Sequence, residues 1–123
     1  MKKIALACLF VLVAASANAG VISDIQMGMA EEGTLQTPCD AVVTAVTYNG
    51  IWIAEEPYGA YNGIWVYMGD EEPIELVPGD VVCICGEYKE YYDLSEIDIV
   101  SAGVYGSVVK TGTQDVPTPS FVT

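Results

Sequence analysis

The side chains available for chemistry are carboxylates, aromatics and thiols, because the chain has no histidine and sets 17 Asp and Glu against 4 lysines. Without histidine there is no Ser-His-Asp or Cys-His machinery, no imidazole base and no His-containing zinc site. Glu55 and Glu56 are the nearest approach to a carboxylate pair for glycoside hydrolysis. They are neighbours on an expected strand, so they point to opposite faces and do not form such a pair. Asp70, Glu71 and Glu72, with Glu75 and Asp80 nearby, offer oxygen ligands for a weak Ca²⁺ site of the extracellular kind, with Kd of about 10⁻⁴–10⁻³ M. Their spacing is not that of a DxDxDG loop, and the simpler reading is a solvated acidic turn. No residues are left for catalysis, and the chain reads as a non-enzyme.

Of the 4 cysteines, Cys8 lies in an N-terminal apolar run. Cys83 and Cys85 are two apart, so on a strand they share a face and do not readily bridge to each other. Cys39 with either one is the expected disulfide, leaving a third thiol. A metal site built from all three lacks the fourth ligand of a structural zinc centre.

Trp52, Trp65 and Tyr67 are the candidate ligand-binding residues. Along an extended chain Trp52 faces away from Ile51 and Ile53, and Trp65 and Tyr67 face away from Ile64 and Val66. Both faces of these strands are apolar, so the pattern alone allows the aromatics to point inward or outward. If the aliphatic set fills the core, the aromatics form an outer stripe. Beside an acidic rim, such a stripe suits a neutral glycan, a cationic peptide or a protein partner.

The elements that must hold these residues follow from the rest of the chain. Lys2-Lys3, the apolar run Ile4 to Ala15 and the exit Ala17-Asn18-Ala19 have the order of a secretory signal peptide cleaved after Ala19. The run is shorter than the roughly 20 residues of a membrane span. Residues 20–110 then form one exported domain, periplasmic or extracellular, and 111–123 a Pro/Thr-rich tail or linker. Within residues 20–123, the 17 acids face only Lys89 and Lys110, a balance of −15. Strands are expected over Ala41–Tyr48, Ile51–Glu55, Ile64–Met68 and Val81–Tyr88, and within 96–104. Asn49-Gly50 marks a tight turn between the first two. Residues 20–36 fit either a strand or a short helix. Tyr88, Glu90, Tyr91, Tyr92 and Asp93 form an aromatic and acidic corner before the last strand. Tyr48-Asn49-Gly50-Ile51-Trp52-Ile53 recurs 13 residues later as Tyr61-Asn62-Gly63-Ile64-Trp65-Val66. That period is too short for a solenoid and suits two neighbouring strands of one sheet.

Val42-Val43-Thr44-Ala45-Val46, the two Asn-Gly-Ile-Trp segments, Val77-Pro78-Gly79-Asp80-Val81-Val82 and Tyr91-Tyr92-Asp93-Leu94-Ser95-Glu96-Ile97 occur in the order seen in one family. The chain resembles the OB-fold-like module of secreted bacterial nucleases and related exported proteins over roughly residues 21–104. The resemblance implies an all-β, five-stranded OB-like Greek-key barrel. It also implies an accessory role beside a catalytic domain or protein, with no catalytic residues of its own. OB modules that hold single strands combine aromatic platforms with a cationic groove. Here the cations are missing, so nucleic-acid binding would need divalent ions such as Ca²⁺ to bridge the charge. Self-association through sheet faces, strand edges or cysteines is the remaining class.

Overall fold

The computed structural model describes residues 20–101 and 106–118. The expected signal peptide, with Cys8, lies outside the described residues, as does the end of the tail. A short helix α1 (Val21–Gln26) leads into seven strands: β1 (Leu35–Gln36), β2 (Ala41–Val46), β3 (Gly50–Ala54), β4 (Gly63–Tyr67), β5 (Asp80–Tyr91), β6 (Leu94–Asp98) and β7 (Ser107–Thr113). No helix among the described residues is long and apolar enough to cross a membrane.

The chain is mostly β-sheet, and five of the strands pair in a ring. β2, β3 and β4 form an antiparallel meander, β6 joins β4 in parallel, and β5 pairs with both β6 and β2. The 12 residues of β5 make this closure geometrically feasible. One edge of β5 carries β2 and then β1, and the other carries β7 and then β6. The inner face follows from strand alternation. Ile51, Ile53, Ile64, Val66, Val82, Ile84 and Ile97 are each at most 1% exposed, and Ile22 and Ile25 of α1 pack into the same cluster. Each such aliphatic side chain contributes about 1.5–3 kcal/mol by burial.

Several boundaries differ from expectation. Among the described residues there are two more strands than the five expected. The last expected strand, within 96–104, is β6 at Leu94–Asp98, and β7 follows it. The domain boundary expected at Lys110 falls inside β7, which continues to Thr113 and is followed by a hydrogen bond from Gln114 N–H to the Gly79 carbonyl, 2.8 Å. The turn expected at Asn49-Gly50 lies one residue earlier, closing around Tyr48 and Asn49. Val46 pairs with Ile51, the Thr47 N–H donates to the Gly50 carbonyl, and Gly50 is the first residue of β3. A further two-residue hairpin joins β5 to β6, where Tyr91 pairs with Leu94. Tyr92 and Asp93 both lie in the left-handed region, at φ 51° and 65°. That is the backbone of a type I′ turn, here built without glycine.

Cys39, just before β2, is disulfide-bonded to Cys83 on β5, with a Cα–Cα distance of 4.0 Å. Of the two pairings left open by the sequence, the structure makes this one. Cys85, two residues along β5, is fully buried.

Candidate functional site

The aromatics point outward. With Ile51, Ile53, Ile64 and Val66 in the core, strand alternation sends Trp52, Trp65 and Tyr67 to the opposite face of β3 and β4. Trp52 and Trp65 are direct cross-strand partners, their ring centroids 5.3 Å apart and their planes tilted by 50°. Trp52 is 37% exposed. The Trp65 indole lies over Gly50, where an added Cβ would come within 2.4 Å of its ring carbons. Gly50 therefore lets the ring approach the β3 backbone closely. Gly63, its counterpart in the sequence echo, has no ring over it.

β6 extends this face with two carboxylates that sequence reasoning did not single out. Glu96 is the ladder partner of both Trp65 on β4 and Lys89 on β5, so it stands between an indole and an ammonium-bearing side chain. Asp98 is likewise the partner of Tyr67. Glu96 is only 6% exposed and Asp98 only 2%. The two acids are held in different states. Burial resists ionisation of Asp98, but hydrogen bonds from the Ser101 hydroxyl, the Val100 and Ser101 N–H groups and Lys89 outweigh it, and its pKa is lowered. Burial, helped by the nearby Asp98 charge, pushes the pKa of Glu96 up against a weaker pull from Lys89. Among the described residues no hydrogen bond reaches the Glu96 carboxylate: Lys89 gives its ion pair to Asp98 at 3.1 Å. Lys110, the other described cation, is paired with Asp80 at 3.1 Å. The alternation Glu96-Ile97-Asp98, acids flanking a core isoleucine, was the available sequence signal.

The acidic turn meets the aromatic stripe at Tyr67. Tyr67, Asp70, Glu71, Glu72, Ile74 and Val100 line much of a cleft of about 520 Å³, a volume typical of small-ligand sites, roughly 300–1,000 Å³. Desolvation, followed by the charges of Asp70, Asp98 and Glu96, raises the Tyr67 pKa. The aromatic residues and the acidic turn, read separately in the sequence, thus share one wall. Asp70, Glu71 and Glu72 themselves are exposed. Among the described residues no three acidic or cysteine side chains gather in a metal-binding arrangement.

Glu55 has a structural partner instead. Its carboxylate accepts the Ile22 N–H at 3.0 Å and the Ser23 N–H at 3.4 Å, and so ties the start of α1 to the end of β3. Glu56 is exposed. At the tyrosine corner, Tyr88 and Ser95 both donate to Glu90, while Tyr91 and Tyr92 are exposed and meet edge to face. The chain matches no protein-family model, no curated protein and no solved structure.

Proposed function

We propose that the chain is an exported, non-catalytic binding module, an OB-like barrel whose β3–β4–β6 face captures a basic segment of a partner protein. The observation that carries this reading is the adjacency of Trp65 and Glu96. An indole beside a buried carboxylate that receives no hydrogen bond is a receptor for an ammonium or guanidinium group, through cation–π attraction and a charge-assisted hydrogen bond. Trp52 widens the aromatic platform, and Tyr67 with the Asp70–Glu72 turn continues the negative potential into the cleft. The balance of −15 over residues 20–123 favours encounter with a basic partner. A disulfide between Cys39 and Cys83 suits an oxidising compartment and supports export. The resemblance supplies the accessory context: the partner belongs to a secreted nuclease-like or surface protein, in the same chain or beside it.

Tryptophan fluorescence of residues 20–123 tests this reading. A short Lys/Arg-rich peptide is expected to give a saturable change that weakens with salt and is lost in Trp65→Ala and Glu96→Gln. A neutral peptide and single-stranded DNA, with or without millimolar Ca²⁺, are expected to give none. A Ca²⁺-dependent response to DNA with no response to the basic peptide would replace this reading with nucleic-acid binding.

One observation favours a second reading, self-association. Among the described residues β7 pairs only with β5, and Val109 to Thr111 are exposed along it. An open strand edge is a template for another copy of the chain. A molar mass that rises with concentration would support it.

A further inference from the structure

Glu55 is 8% exposed and serves neither the aromatic face nor the acidic cleft. Among the described residues its carboxylate accepts the Ile22 and Ser23 N–H groups, with the Val21 N–H also acting on it, and meets no cation. The charged side chain acting on it from α1 is Asp24, which repels it. Lys89 and Lys110 are committed to Asp98 and Asp80. A buried carboxylate in that state is costly unless a positive charge joins it.

Gly20 sits directly against this group. A Cβ built on Gly20 would lie 2.4 Å from Glu55 Oε2 and 2.7 Å from Ser23 Oγ, so only glycine brings the backbone this close. The Gly20 nitrogen is carried by the same α-carbon. Gly20 is also the residue immediately after the expected cleavage point at Ala19.

We infer that cleavage between Ala19 and Gly20 creates an α-ammonium group that Glu55 receives, so that removing the leader completes a buried salt bridge between the new chain end and the end of β3. This rests on the signal-peptide reading. Peptide hydrolysis turns the Gly20 amide N–H into an amine that is protonated at neutral pH, and the other product is the Ala19 carboxylate. No further reactant besides water is needed. The bridge adds a charge-assisted contact that the uncleaved chain cannot make, because an amide nitrogen carries no charge. Glu55 is thus a positioning residue for the processed end.

Four measurements test the latch. N-terminal sequencing of the exported protein should begin at Gly20. In a chain made to start at Gly20, the α-amine should titrate at least one unit above its ordinary value of about 7.7–8.0. It should also react with an acylating reagent near neutral pH about ten-fold more slowly than a Gly-Val peptide. Acetylating that amine should lower Tm near pH 6.5. The Tm difference should vanish as pH rises through the raised amine pKa, because the amine then loses its charge in the folded state too. Glu55→Gln should return the amine to its ordinary pKa and remove the effect of acetylation. The acetylation comparison needs no variant, so a Glu55→Gln chain that fails to fold does not block the test. An ordinary amine pKa together with an unchanged Tm on acetylation would overturn the latch and leave the cleavage reading intact. An exported chain starting elsewhere would overturn the cleavage reading and the latch with it.

Discussion

Trp52 and Trp65 occupy the same rung of the β3–β4 ladder, with 5.3 Å between their ring centroids. This is the structural meaning of the sequence echo. Two copies of Asn-Gly-Ile-Trp run antiparallel, and the strand pairing brings their tryptophans side by side while both isoleucines enter the core. A tilted aromatic pair of this kind contributes about 0.5–1.5 kcal/mol beyond its area.

The division of faces predicts an unequal response to truncation. Ile64→Ala opens a cavity in the core and is expected to cost about 2–5 kcal/mol. Trp52→Ala removes a larger side chain that is 37% exposed and is expected to cost less. Urea denaturation decides the order through the shift in midpoint at constant slope. The reverse order would mean that the indoles, not the isoleucines, are the core residues.

The two echo glycines are expected to differ as well. Gly50→Ala places a methyl group 2.4 Å from both the Trp65 ring and the Val66 carbonyl. Relieving that overlap displaces the indole or the strand, at a cost of about 1–3 kcal/mol. At Gly63 the nearest atom to a new Cβ is the Ile53 carbonyl oxygen at 3.5 Å, an ordinary contact. Gly63→Ala should stay within about 0.5 kcal/mol of the parent. Equal losses at the two sites in the same denaturation experiment would show that Trp65 does not need the bare backbone of Gly50.

Much of this arrangement was legible in the sequence, and the exceptions have physical causes. β2 to β5 announce themselves through β-branched and aromatic runs, and the aliphatic periodicity of β3 and β4 marks their core face. The outward turn of the tryptophans was not decidable, because an apolar outer face reads like a second core face. The β5–β6 hairpin was missed because Tyr92 and Asp93 hold left-handed backbone without glycine, the residue that normally signals it. β7 was missed because Lys110 and Gly112 interrupt its pattern and prolines follow, a composition that reads as loop although an edge strand tolerates it. The acids of β6 offer only their alternation around Ile97 as a signal. Their burial comes from neighbouring strands, with ladder partners at Trp65, Tyr67 and Lys89.

The Cys39–Cys83 bond closes a separation of 44 residues. Constraining a loop of that size in the unfolded chain corresponds to about 4 kcal/mol of stability on the chain-entropy relation. The double variant Cys39→Ser, Cys83→Ser is therefore expected to unfold at a clearly lower denaturant concentration. An unchanged midpoint would mean that the bridge adds nothing to a fold already closed by the β5 pairings.

Stability should peak in mildly acidic solution, because two sets of carboxylates pull in opposite directions. Glu55 and Glu96 have pKa values raised above 4.5, chiefly by burial. Their folded forms hold protons more tightly than the unfolded chain does, so their contribution is present at low pH and fades as pH rises through those raised values. In the processed chain of the latch proposal, the Gly20 ammonium counters this for Glu55 and leaves Glu96 as the main source of the upper limb. Asp80 and Asp98 are lowered below 3.8: Asp80 mainly by the Val77 N–H and then Lys110, Asp98 because its hydrogen bonds and Lys89 outweigh burial. Their contribution is present above 3.8 and is lost as pH falls through the lowered values. A Tm profile over pH 2–8 should accordingly rise, reach a maximum between 3.8 and 4.5 and then decline. Glu96→Gln should flatten the declining limb, and Asp98→Asn should flatten the acid limb while lowering Tm at neutral pH, where Lys89 loses its charged partner. A decline that survives Glu96→Gln unchanged would assign the neutral-pH loss to the overall negative charge of the chain rather than to that buried carboxylate.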